Sequence, residues 1–395
     1  MENKNSARCA VFGRCGGCTS QDLPYGQQLV LKHAHLSDLL RNIPCAVAPV
    51  IGCADPWRYR NKMEFVFGAD KGGQLLLGLH QRSSFGDVVD VDDCWLQSLA
   101  GNQVRALTRN FFRARSYAAY NPKTHQGLLR YLVVRQSFSQ KKLLANLVLA
   151  NLDGLAAKDL EAWAAALRTQ LPNLASIYIS QQAGWGDTAW PDRLKLFWGE
   201  AGLTEELDRE NGTTLKLRIS PLAFFQTNSA QAQRLYQTVA DLAALQGPEV
   251  VLDLYCGIGG ISQWLAPRAG RVYGVESVPS AIADAQSNAQ INQVHNVTYI
   301  ADKVETWLKW NADEVEAAVW ILDPPRAGLH PKILNRRLPL LSRRPAKIIY
   351  VSCNPKLLPA DWQRLQAWYQ VRAIVPIDLF PHTPHVEVVV LLSRR

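Results

Sequence analysis

The chain contains 395 residues, of which 48% are hydrophobic and 19% are charged. This length exceeds what one compact domain usually holds, so two domains are expected, and the composition excludes a mostly disordered chain. The chain has no apolar run long enough to span a membrane, and its polar N-terminus lacks the apolar stretch of a signal peptide. We therefore expect a cytoplasmic protein whose eight cysteines are thiols or metal ligands rather than disulfides.

The net charge of +9 favours a polyanionic partner. Two stretches, 94–152 and 326–360, contain Lys and Arg but no Asp or Glu. One such stretch is commonly a solvated face, but two in one chain favour a surface that binds phosphate groups.

The first half of the chain predicts a mixed α+β domain. Helices are expected from Gln27 to Leu40 and over 160–171, and a β-meander from Arg58 to Val91. Further strands are predicted over 128–137, 142–152 and 175–182.

The second half of the chain alternates apolar strands with helices, which predicts a parallel α/β sheet with both faces covered. Strands are expected over 250–255, 271–276, 297–300, 317–323 and 347–353, helices over 260–266, 280–291 and 333–341, and two late strands over 371–377 and 386–393. The boundary is placed near Asn211–Leu215, which gives a first domain over 1–214 and a second over 215–395.

The sequence VVLDLYCGIGG predicts a cofactor site. A strand containing Asp253 leads into the glycines of 257–260, which allow a tight turn and a close approach to a ligand. The next strand ends at Glu276, where a carboxylate is placed to bind a ribose diol, and Asp302 follows the third strand. This set is similar to class I S-adenosylmethionine-dependent methyltransferases; a nicotinamide-dependent enzyme is the alternative.

Two strand ends predict the chemistry. Asp323 precedes two prolines at the end of one strand, and Cys353 ends another, so both should face the crevice where α/β proteins bind ligands. Pyrimidine C5 becomes nucleophilic only when a thiolate adds to C6, which is the chemistry that a thiol beside a methyl donor can perform. Arg326 stands where an aromatic residue follows the prolines in adenine-methylating enzymes, which argues against that reaction.

A base must then remove the C5 proton before the thiol can leave. Glu387 is the candidate because its strand should pair beside the strand that ends at Cys353. A glutamate in an apolar strand is also costly without a partner or a function. The alternative without a catalytic role is that Glu387 occupies an exposed edge position. His382 and His385 are alternative bases.

At this point the chain resembles the RNA uracil-C5 methyltransferases, which methylate uridine in 23S rRNA or tRNA. The matching stretches are SPLAFFQTN (220–228), LDLYCGIGG (252–260), DPPRAG (323–328), YVSCNP (350–355) and DLFPHTPHVEVV (378–389). The resemblance implies that Cys353 is the nucleophile and Glu387 the proton acceptor. It also implies that Gln226, Tyr255, Glu276 and Asp323 contact S-adenosylmethionine or the target base. The implied fold is a Rossmann-like class I methyltransferase domain that follows an α+β domain.

The cysteines near the N-terminus predict a metal site. Cys9, Cys15 and Cys18 form a close group and Cys94 stands apart, a set that suits a tetrahedral metal ion or a cubane cluster. The rRNA members of the resembled family carry a [4Fe–4S] cluster with this arrangement, so the resemblance implies that cluster; zinc is the alternative. Cys45, Cys53 and Cys256 are interpreted as ordinary thiols.

RNA is the implied partner. Arg58, Arg60 and Lys62 are candidates for phosphate binding, with Tyr59 and Phe65 available for base stacking. Several members of the family begin with an extra β-barrel, whereas this chain reaches its first cysteine of the group by residue 9. The sequence therefore predicts a 23S rRNA uracil-C5 methyltransferase that resembles the shorter type, with a monomer as the expected but not determined state. The C-x₅-C spacing of Cys9 and Cys15 is also that of the longer rRNA enzyme, so the sequence leaves the target uridine open. A tRNA uracil-C5 methyltransferase is the alternative within the class, and a non-catalytic iron–sulfur RNA-binding protein is a more distant one.

Overall fold

The computed structural model describes residues 7–84, 86–311, 314–333 and 344–395. The chain forms two compact units. Of the described residues, unit 1 contains 7–24, 55–205 and 220–222, and unit 2 contains 25–54, 206–219 and the residues from 223 onward. No helix of the described residues is long and apolar enough to cross a membrane.

Unit 1 is built on a seven-stranded sheet of order β3-β2-β1-β4-β5-β6-β7. All neighbouring strands are antiparallel except β5 and β6, which are parallel. The strands are β1 Lys62–Ala69, β2 Leu75–His80, β3 Val88–Asp90, β4 Leu129–Gln136, β5 Leu143–Leu149, β6 Leu174–Gln181 and β7 Arg193–Gly199. The predicted meander and the three later strands are therefore confirmed.

Two helices pack on this sheet, α2 (Leu99–Ala114) and α3 (Ala157–Gln170). Phe112 of α2 and Trp163 of α3 are fully buried in the core of unit 1. The sequence analysis predicted α3 but missed α2 and β7. A signal for α2 was present, because the Ser98 side chain accepts a hydrogen bond from the Gly101 N–H at 3.0 Å and caps the helix.

Most basic side chains of the stretch 94–152 bind partners within unit 1. Arg105 is fully buried and donates to the carbonyl oxygens of Leu77 and Asp92. Other side chains bind carboxylates, as in the pair between Arg109 and Asp90 at 2.6 Å. The residues of this stretch with such partners are Arg105, Arg109, Arg113, Arg115, Arg130, Arg135 and Lys142. Carboxylates and carbonyl oxygens from other parts of the chain therefore bind these basic side chains, although the stretch itself contains no Asp or Glu.

Unit 2 contains a second seven-stranded sheet, of order β12-β11-β10-β13-β14-β16-β15. The strands from β10 to β14 run parallel, and β16 inserts antiparallel between β14 and β15. They are β10 Val250–Leu254, β11 Arg271–Glu276, β12 Val297–Ala301, β13 Val319–Leu322, β14 Lys347–Ser352, β15 Tyr369–Ile377 and β16 Glu387–Arg394. The chain order reverses between β10 and β13, and ligands bind at such a switch point in doubly wound sheets. The predicted α/β class is confirmed.

Helices cover both faces of this sheet. They are α1 Tyr25–Leu39, α4 Ser229–Ala243, α5 Gly260–Leu265, α6 Pro279–Ile291, α7 Val304–Asn311 and α8 Leu358–Leu365. A small hairpin of β8 (Leu203–Asp208) and β9 (Thr214–Ile219) also contributes to the core through Leu215 and Leu217. The sequence analysis predicted neither this hairpin nor α4, and the helix predicted over 333–341 lies outside the described residues apart from Ile333.

The division into units differs from the predicted domains 1–214 and 215–395. Residues 25–54, which the sequence analysis placed in the first domain, belong to unit 2. The physical reason is that Leu36, Leu40 and Ile43 are buried in the core formed around Leu252 and Trp320. The helix predicted from Gln27 to Leu40 therefore forms, but as part of unit 2.

Candidate active site and cysteine cluster

The turn after β10 has the backbone that its glycines predict. Gly257 and Gly259 have φ angles of 53° and 80°, in the left-handed region that favours glycine. A Cβ on Gly259 would lie 2.3 Å from the Tyr299 hydroxyl, so a larger residue would not fit. Tyr255 also has a positive φ, 68°, and its N–H donates to Val275 O at 2.9 Å. Strained non-glycine backbone of this kind concentrates at functional sites.

Glu276 ends β11 with its carboxylate held by neighbouring donors. Oε1 accepts from the Val278 N–H at 2.9 Å and from the Ser277 hydroxyl at 3.1 Å, and Oε2 accepts from the Gly257 N–H at 3.3 Å. These bonds hold the carboxylate at the mouth of the glycine turn. Asp302 lies beside it, since its N–H donates to Glu276 O at 3.0 Å.

Two aspartates lie close together at the switch point. Asp253 is fully buried, and its Oδ2 accepts from the Ser262 hydroxyl while Oδ1 has no partner among the described residues. Burial raises the pKa of Asp253 to about 7. Burial and the charge of Asp253 raise the pKa of Asp323, which follows β13, to about 7. The pair therefore favours a ligand that brings hydrogen-bond donors or positive charge.

Cys353 and Glu387 meet across two neighbouring strands. Ser352 of β14 pairs with Val388 of β16 in antiparallel register. One further step along this register places Cys353 opposite Glu387, and directly opposed residues have Cβ atoms about 5 Å apart on the same face. The structure thus brings together the two residues predicted to carry the chemistry, although they are far apart in sequence.

The surroundings of this pair favour protonated side chains in the unliganded protein. Burial, followed by the charges of Glu387 and Asp323, raises the pKa of the Cys353 thiol to about 11, and Arg326 opposes that rise. Burial and the charge of Asp323 raise the pKa of Glu387 to about 8. A carboxyl group with a pKa near neutrality is suited to exchange protons during a reaction.

Glu387 is not an edge residue. It is 3% exposed and pairs with Ile377 of β15, because β16 lies inside the sheet. The alternative of an exposed edge position is therefore wrong. Of the alternative bases, His382 is buried and its Nδ1 lies 3.1 Å from Gln28 Nε2, whereas His385 is exposed with Nδ1 3.4 Å from the Arg326 guanidinium.

The stretch 220–228 leads into α4 and buries Gln226. Asn228 caps α4 by accepting from the Gln231 N–H at 3.2 Å. Phe224 is 68% exposed. The sequence analysis did not name Phe224 as a candidate site residue, although Phe224 lies within a matching stretch, two residues before Gln226.

The four predicted metal-ligating cysteines form one buried group in unit 1. Cys9, Cys15, Cys18 and Cys94 are free thiols, each at most 9% exposed. Burial raises the pKa of Cys15 to about 11 and that of Cys18 to about 12, and in both cases the other thiols of the group add to the rise. The Gly17 N–H donates to Cys15 Sγ at 3.4 Å and Gln21 Nε2 donates to Cys18 Sγ at 3.1 Å. We call these four residues the cysteine cluster.

The bound group predicted for the cysteine cluster is not confirmed. In the part of the chain that the structure describes, no three or more His, Cys, Asp or Glu side chains form a group that could hold a metal ion. One zinc ion would need sulfur atoms about 3.8 Å apart, given a Zn–S distance of about 2.3 Å and tetrahedral geometry. Neither a zinc ion nor a [4Fe–4S] cluster is therefore shown by the arrangement of the four thiols, and both remain predictions from the sequence.

The prediction that Tyr59 and Phe65 stack on RNA bases is wrong. Tyr59 and Phe65 are 6% and 0% exposed and belong to the core of unit 1. Arg58 binds Asp93 through two contacts of 3.0 and 2.9 Å, and Lys62 pairs with Glu64 at 2.6 Å. Tyr59 and Phe65 therefore cannot stack on bases, because the alternating strand pattern turns Phe65 inward.

Known proteins are similar to this chain over nearly its whole length. The model of the tRNA (Uracil-5-)-methyltransferase family matches residues 25–395. An uncharacterized RNA methyltransferase of Staphylococcus epidermidis is 34% identical over 392 residues, which cover 98% of this chain and 83% of the relative. A similarly described protein of Caldanaerobacter subterraneus is 37% identical over 391 residues, 98% of this chain and 84% of that protein.

A solved structure shares the fold. The Pyrococcus abyssi tRNA (uracil-54, C5)-methyltransferase in complex with S-adenosyl-L-homocysteine has a TM-score of 0.77 and 30% identity, and the match covers 96% of this chain and 86% of that one. The family match, the relatives and this fold agree with the glycine turn and with the opposed Cys353 and Glu387. The chain belongs to the family of S-adenosylmethionine-dependent RNA uracil-C5 methyltransferases.

Proposed function

We propose that the protein methylates C5 of a specific uridine in 23S rRNA, with Cys353 as the nucleophile and Glu387 as the base. The observation that supports the mechanism is the register of β14 and β16, whose next pair is Cys353 opposite Glu387. Neither group alone would suffice, because the reaction needs both a bond to C6 and the loss of a proton from C5.

Cys353 opens the reaction. As a thiolate it adds to C6 of the uracil and makes C5 nucleophilic. Arg326 lowers the pKa of Cys353, whereas burial, Glu387 and Asp323 raise it. A proton on Glu387 or Asp323 therefore favours the attacking thiolate, and the pKa values of about 8 and about 7 permit that proton near neutral pH.

Glu387 completes the reaction. Its carboxylate takes the C5 proton after methyl transfer, and the electron pair of the broken C–H bond forms the C5=C6 double bond. The C6–S bond breaks in the same step and Cys353 leaves as a thiolate. The carboxylate must be ionised for this step, so Glu387 has to lose any proton that it held when Cys353 attacked.

S-adenosylmethionine supplies an electrophilic methyl group on a positively charged sulfur. Glu276 would bind the ribose, and the unpartnered Oδ1 of Asp253 offers an acceptor for a donor of the ligand. Gln226, Tyr255 and Asp323 would complete the contacts with the cofactor or the target base. The residues present therefore fit this group.

We also propose that the cysteine cluster holds a [4Fe–4S] cluster. Four buried thiols with mutual electrostatic coupling and N–H donors at sulfur suit a soft polynuclear site. A four-iron cluster is wider than one ion, so its ligands need not converge on a single point. The rRNA target is proposed because the sequence resembles the cluster-bearing rRNA enzymes.

The experiment that tests the substrate is mapping of 5-methyluridine in all rRNA and tRNA of a deletion strain and of the same strain complemented with the gene. The account expects one 23S rRNA uridine to lose its methyl group and regain it on complementation. A tRNA uridine is the second candidate, since the Pyrococcus abyssi structure is of a tRNA enzyme. Loss confined to tRNA would replace the rRNA assignment, and no loss in any RNA would contradict the proposed function.

A further inference from the structure

Helix α1 presents polar side chains to the interior of unit 2. Gln28 and Lys32 are 2% and 8% exposed, whereas Val30 and Leu31 of the same helix are 66% and 51% exposed. An ordinary surface helix buries its apolar residues and exposes its charged ones. The first half of α1 inverts this arrangement, whereas Leu36 near its end is buried in the usual way. The first half of the helix therefore has polar partners inside the unit.

Those partners lie in the loop 378–386, which joins β15 to β16 and ends immediately before Glu387. Lys32 Nζ donates to Asp378 Oδ1 at 2.7 Å and to Phe380 O at 3.2 Å. The Tyr25 hydroxyl donates to Asp378 Oδ2 at 3.1 Å. One face of α1 therefore holds the start of the loop through both oxygens of a buried carboxylate.

Gln28 holds the middle of the same loop. Its Oε1 accepts from the His382 N–H at 2.9 Å, and its Nε2 lies 3.1 Å from His382 Nδ1. His382 has a φ of 64°, a conformation that a residue with a Cβ adopts only when its surroundings hold it there. The positions 25, 28 and 32 lie on one face of the helix, as their spacing requires.

The start of α4 binds the loop from another side. Gln231 Nε2 donates to Asp378 O at 2.9 Å, and Asn228 Nδ2 donates to Leu379 O at 3.3 Å. Asn228 lies two residues after Gln226. The first five residues of the loop, 378–382, therefore contact both α1 and the start of α4, the segment that follows Gln226.

Stability alone is a weak reason for such contacts. A buried ion pair such as Lys32 with Asp378 often contributes no more than packed apolar residues would, because removing both charges from water is costly. A fully satisfied polar network does, however, fix one arrangement of the groups that it joins. A displacement of about 1 Å of a catalytic group can cost on the order of 100-fold in rate.

We propose that Tyr25, Gln28 and Lys32 are positioning residues, which hold the loop 378–386 so that the Glu387 carboxylate faces the C5 proton of the substrate. This inference rests on the proposed function of Glu387. The reaction step that it concerns is proton removal, which follows methyl transfer.

The test compares Gln28→Met with Asn296→Leu. Both substitutions roughly keep side-chain size and delete hydrogen bonds within unit 2. Gln28→Met removes the contacts with His382, and Asn296→Leu removes the bonds from Asn296 Nδ2 to Ala266 O and Ala269 O, at 2.9 Å each. The full-length variants are incubated with radiolabelled S-adenosylmethionine and total RNA of a deletion strain. The readouts are kcat, KM for RNA, affinity for S-adenosylmethionine, melting temperature and the labelled protein–RNA adduct on a denaturing gel.

Slow proton removal should make the methylated adduct accumulate. We expect Gln28→Met to lower kcat roughly 10- to 100-fold and to accumulate adduct, with affinity for S-adenosylmethionine within about twofold of the unaltered protein. Asn296→Leu should lower the melting temperature by a similar amount to Gln28→Met, but it should keep kcat and show no adduct. Tyr25→Phe deletes the bond donated to Asp378 and the bond accepted from the Cys53 N–H. It should show a smaller effect of the same kind, and it serves if Gln28→Met does not fold.

Two results separate the ways in which the inference can fail. If Gln28→Met and Tyr25→Phe lose only melting temperature, as Asn296→Leu does, the contacts are structural and the inference is overturned. Glu387→Gln is measured in parallel. If Glu387→Gln accumulates adduct and the α1 variants do not, only this inference fails; if Glu387→Gln does not, the proposed role of Glu387 fails first.

Discussion

The surroundings of Cys353 and of the cysteine cluster differ in what faces each sulfur. In both regions burial raises the pKa of the thiol, to about 11 at Cys353 and at Cys15. Cys353 is half-buried and faces the carboxyl groups of Glu387 and Asp323, whereas Cys15 faces other thiols and a backbone N–H. The first surroundings can pass a proton to and from a substrate. The surroundings of Cys15 instead offer several sulfur ligands to a metal. The groups that neighbour a cysteine, rather than its burial, therefore indicate its role.

The largest expected effect concerns the thiol of the active site. Cys353→Ala should abolish methylation, because no other thiol lies opposite Glu387, and it should leave S-adenosylmethionine binding nearly unchanged, because other residues form the cofactor site. Methylation assays and equilibrium binding on the same preparation measure both. Full turnover by Cys353→Ala would remove the nucleophile from the account.

The second effect concerns the cysteine cluster alone. Anaerobically purified protein should absorb broadly at roughly 400 nm, as thiolate-bound iron–sulfur centres do. Cys9, Cys15, Cys18 and Cys94 should each be required for this absorbance, whereas Cys353→Ala should keep it. Metal analysis that finds stoichiometric zinc and no iron would contradict the assignment.

A third effect is the pH dependence of the active site. The pKa of Glu387 is raised to about 8, and a base must be ionised to accept a proton. The rate at which the methylated adduct releases Cys353 should therefore increase with pH, by up to about tenfold per unit below pH 8, when the labelled adduct is followed in single-turnover experiments. A rate that is flat from pH 6 to 8, with the fold intact by circular dichroism, would contradict a role for this ionisation.

The same raised pKa has the opposite consequence for stability. The folded protein holds a proton on Glu387 up to about pH 8, whereas the unfolded chain releases it near the ordinary value of 4.5. This contribution is fully present below pH 4.5 and is lost as the pH rises through 8. Glu387→Gln should therefore raise the melting temperature at pH 8.5 more than at pH 5, as calorimetry would show. An equal change at both pH values would argue against a carboxyl that ionises at a cost.

The smallest expected effect sharpens the contrast between the two kinds of thiol. Glu387 raises the pKa of Cys353, so Glu387→Gln should lower that pKa and speed alkylation of Cys353 by iodoacetamide at pH 8 a few-fold. Cys45, which is half-buried and lacks a carboxyl neighbour among the causes of its raised pKa, provides the internal control. Mass spectrometry quantifies both sites, and an unchanged rate at Cys353 would mean that the two side chains are not coupled.

Much of the site was predictable from sequence because strand ends carry its residues. Parallel strands place Asp253, Glu276 and Asp323 at one edge of the sheet whatever the loops do. The local sequence also identified Cys353 and Glu387 as chemically unusual. The strand of Glu387 was expected to pair beside the strand of Cys353, and the pairing of β14 with β16 confirms this. The direct opposition of the two residues was not predictable, because it depends on the register with which β16 inserts between β14 and β15.

Properties that depend on distant partners were the ones that sequence reasoning missed. Tyr59 and Phe65 follow a pattern that suits an exposed strand, and only the cover supplied by the rest of unit 1 buries them. The polar face of α1 is similar, since Gln28 and Lys32 find His382 and Asp378 some 350 residues later in the chain. Local periodicity predicted the helix but contains no information about these partners.

The measurement that tests the central claim most directly is the fate of the RNA on Glu387→Gln. The account holds that Cys353 adds to C6 and methyl transfer occurs, but that the C5 proton cannot leave without the carboxylate. Glu387→Gln should therefore accumulate a covalent protein–RNA adduct that carries the labelled methyl group and survives denaturing electrophoresis, and adding Cys353→Ala should abolish it. Normal turnover without an adduct would show that Glu387 is only a structural strand residue, and the absence of both adduct and product would show that its carboxylate acts before methyl transfer.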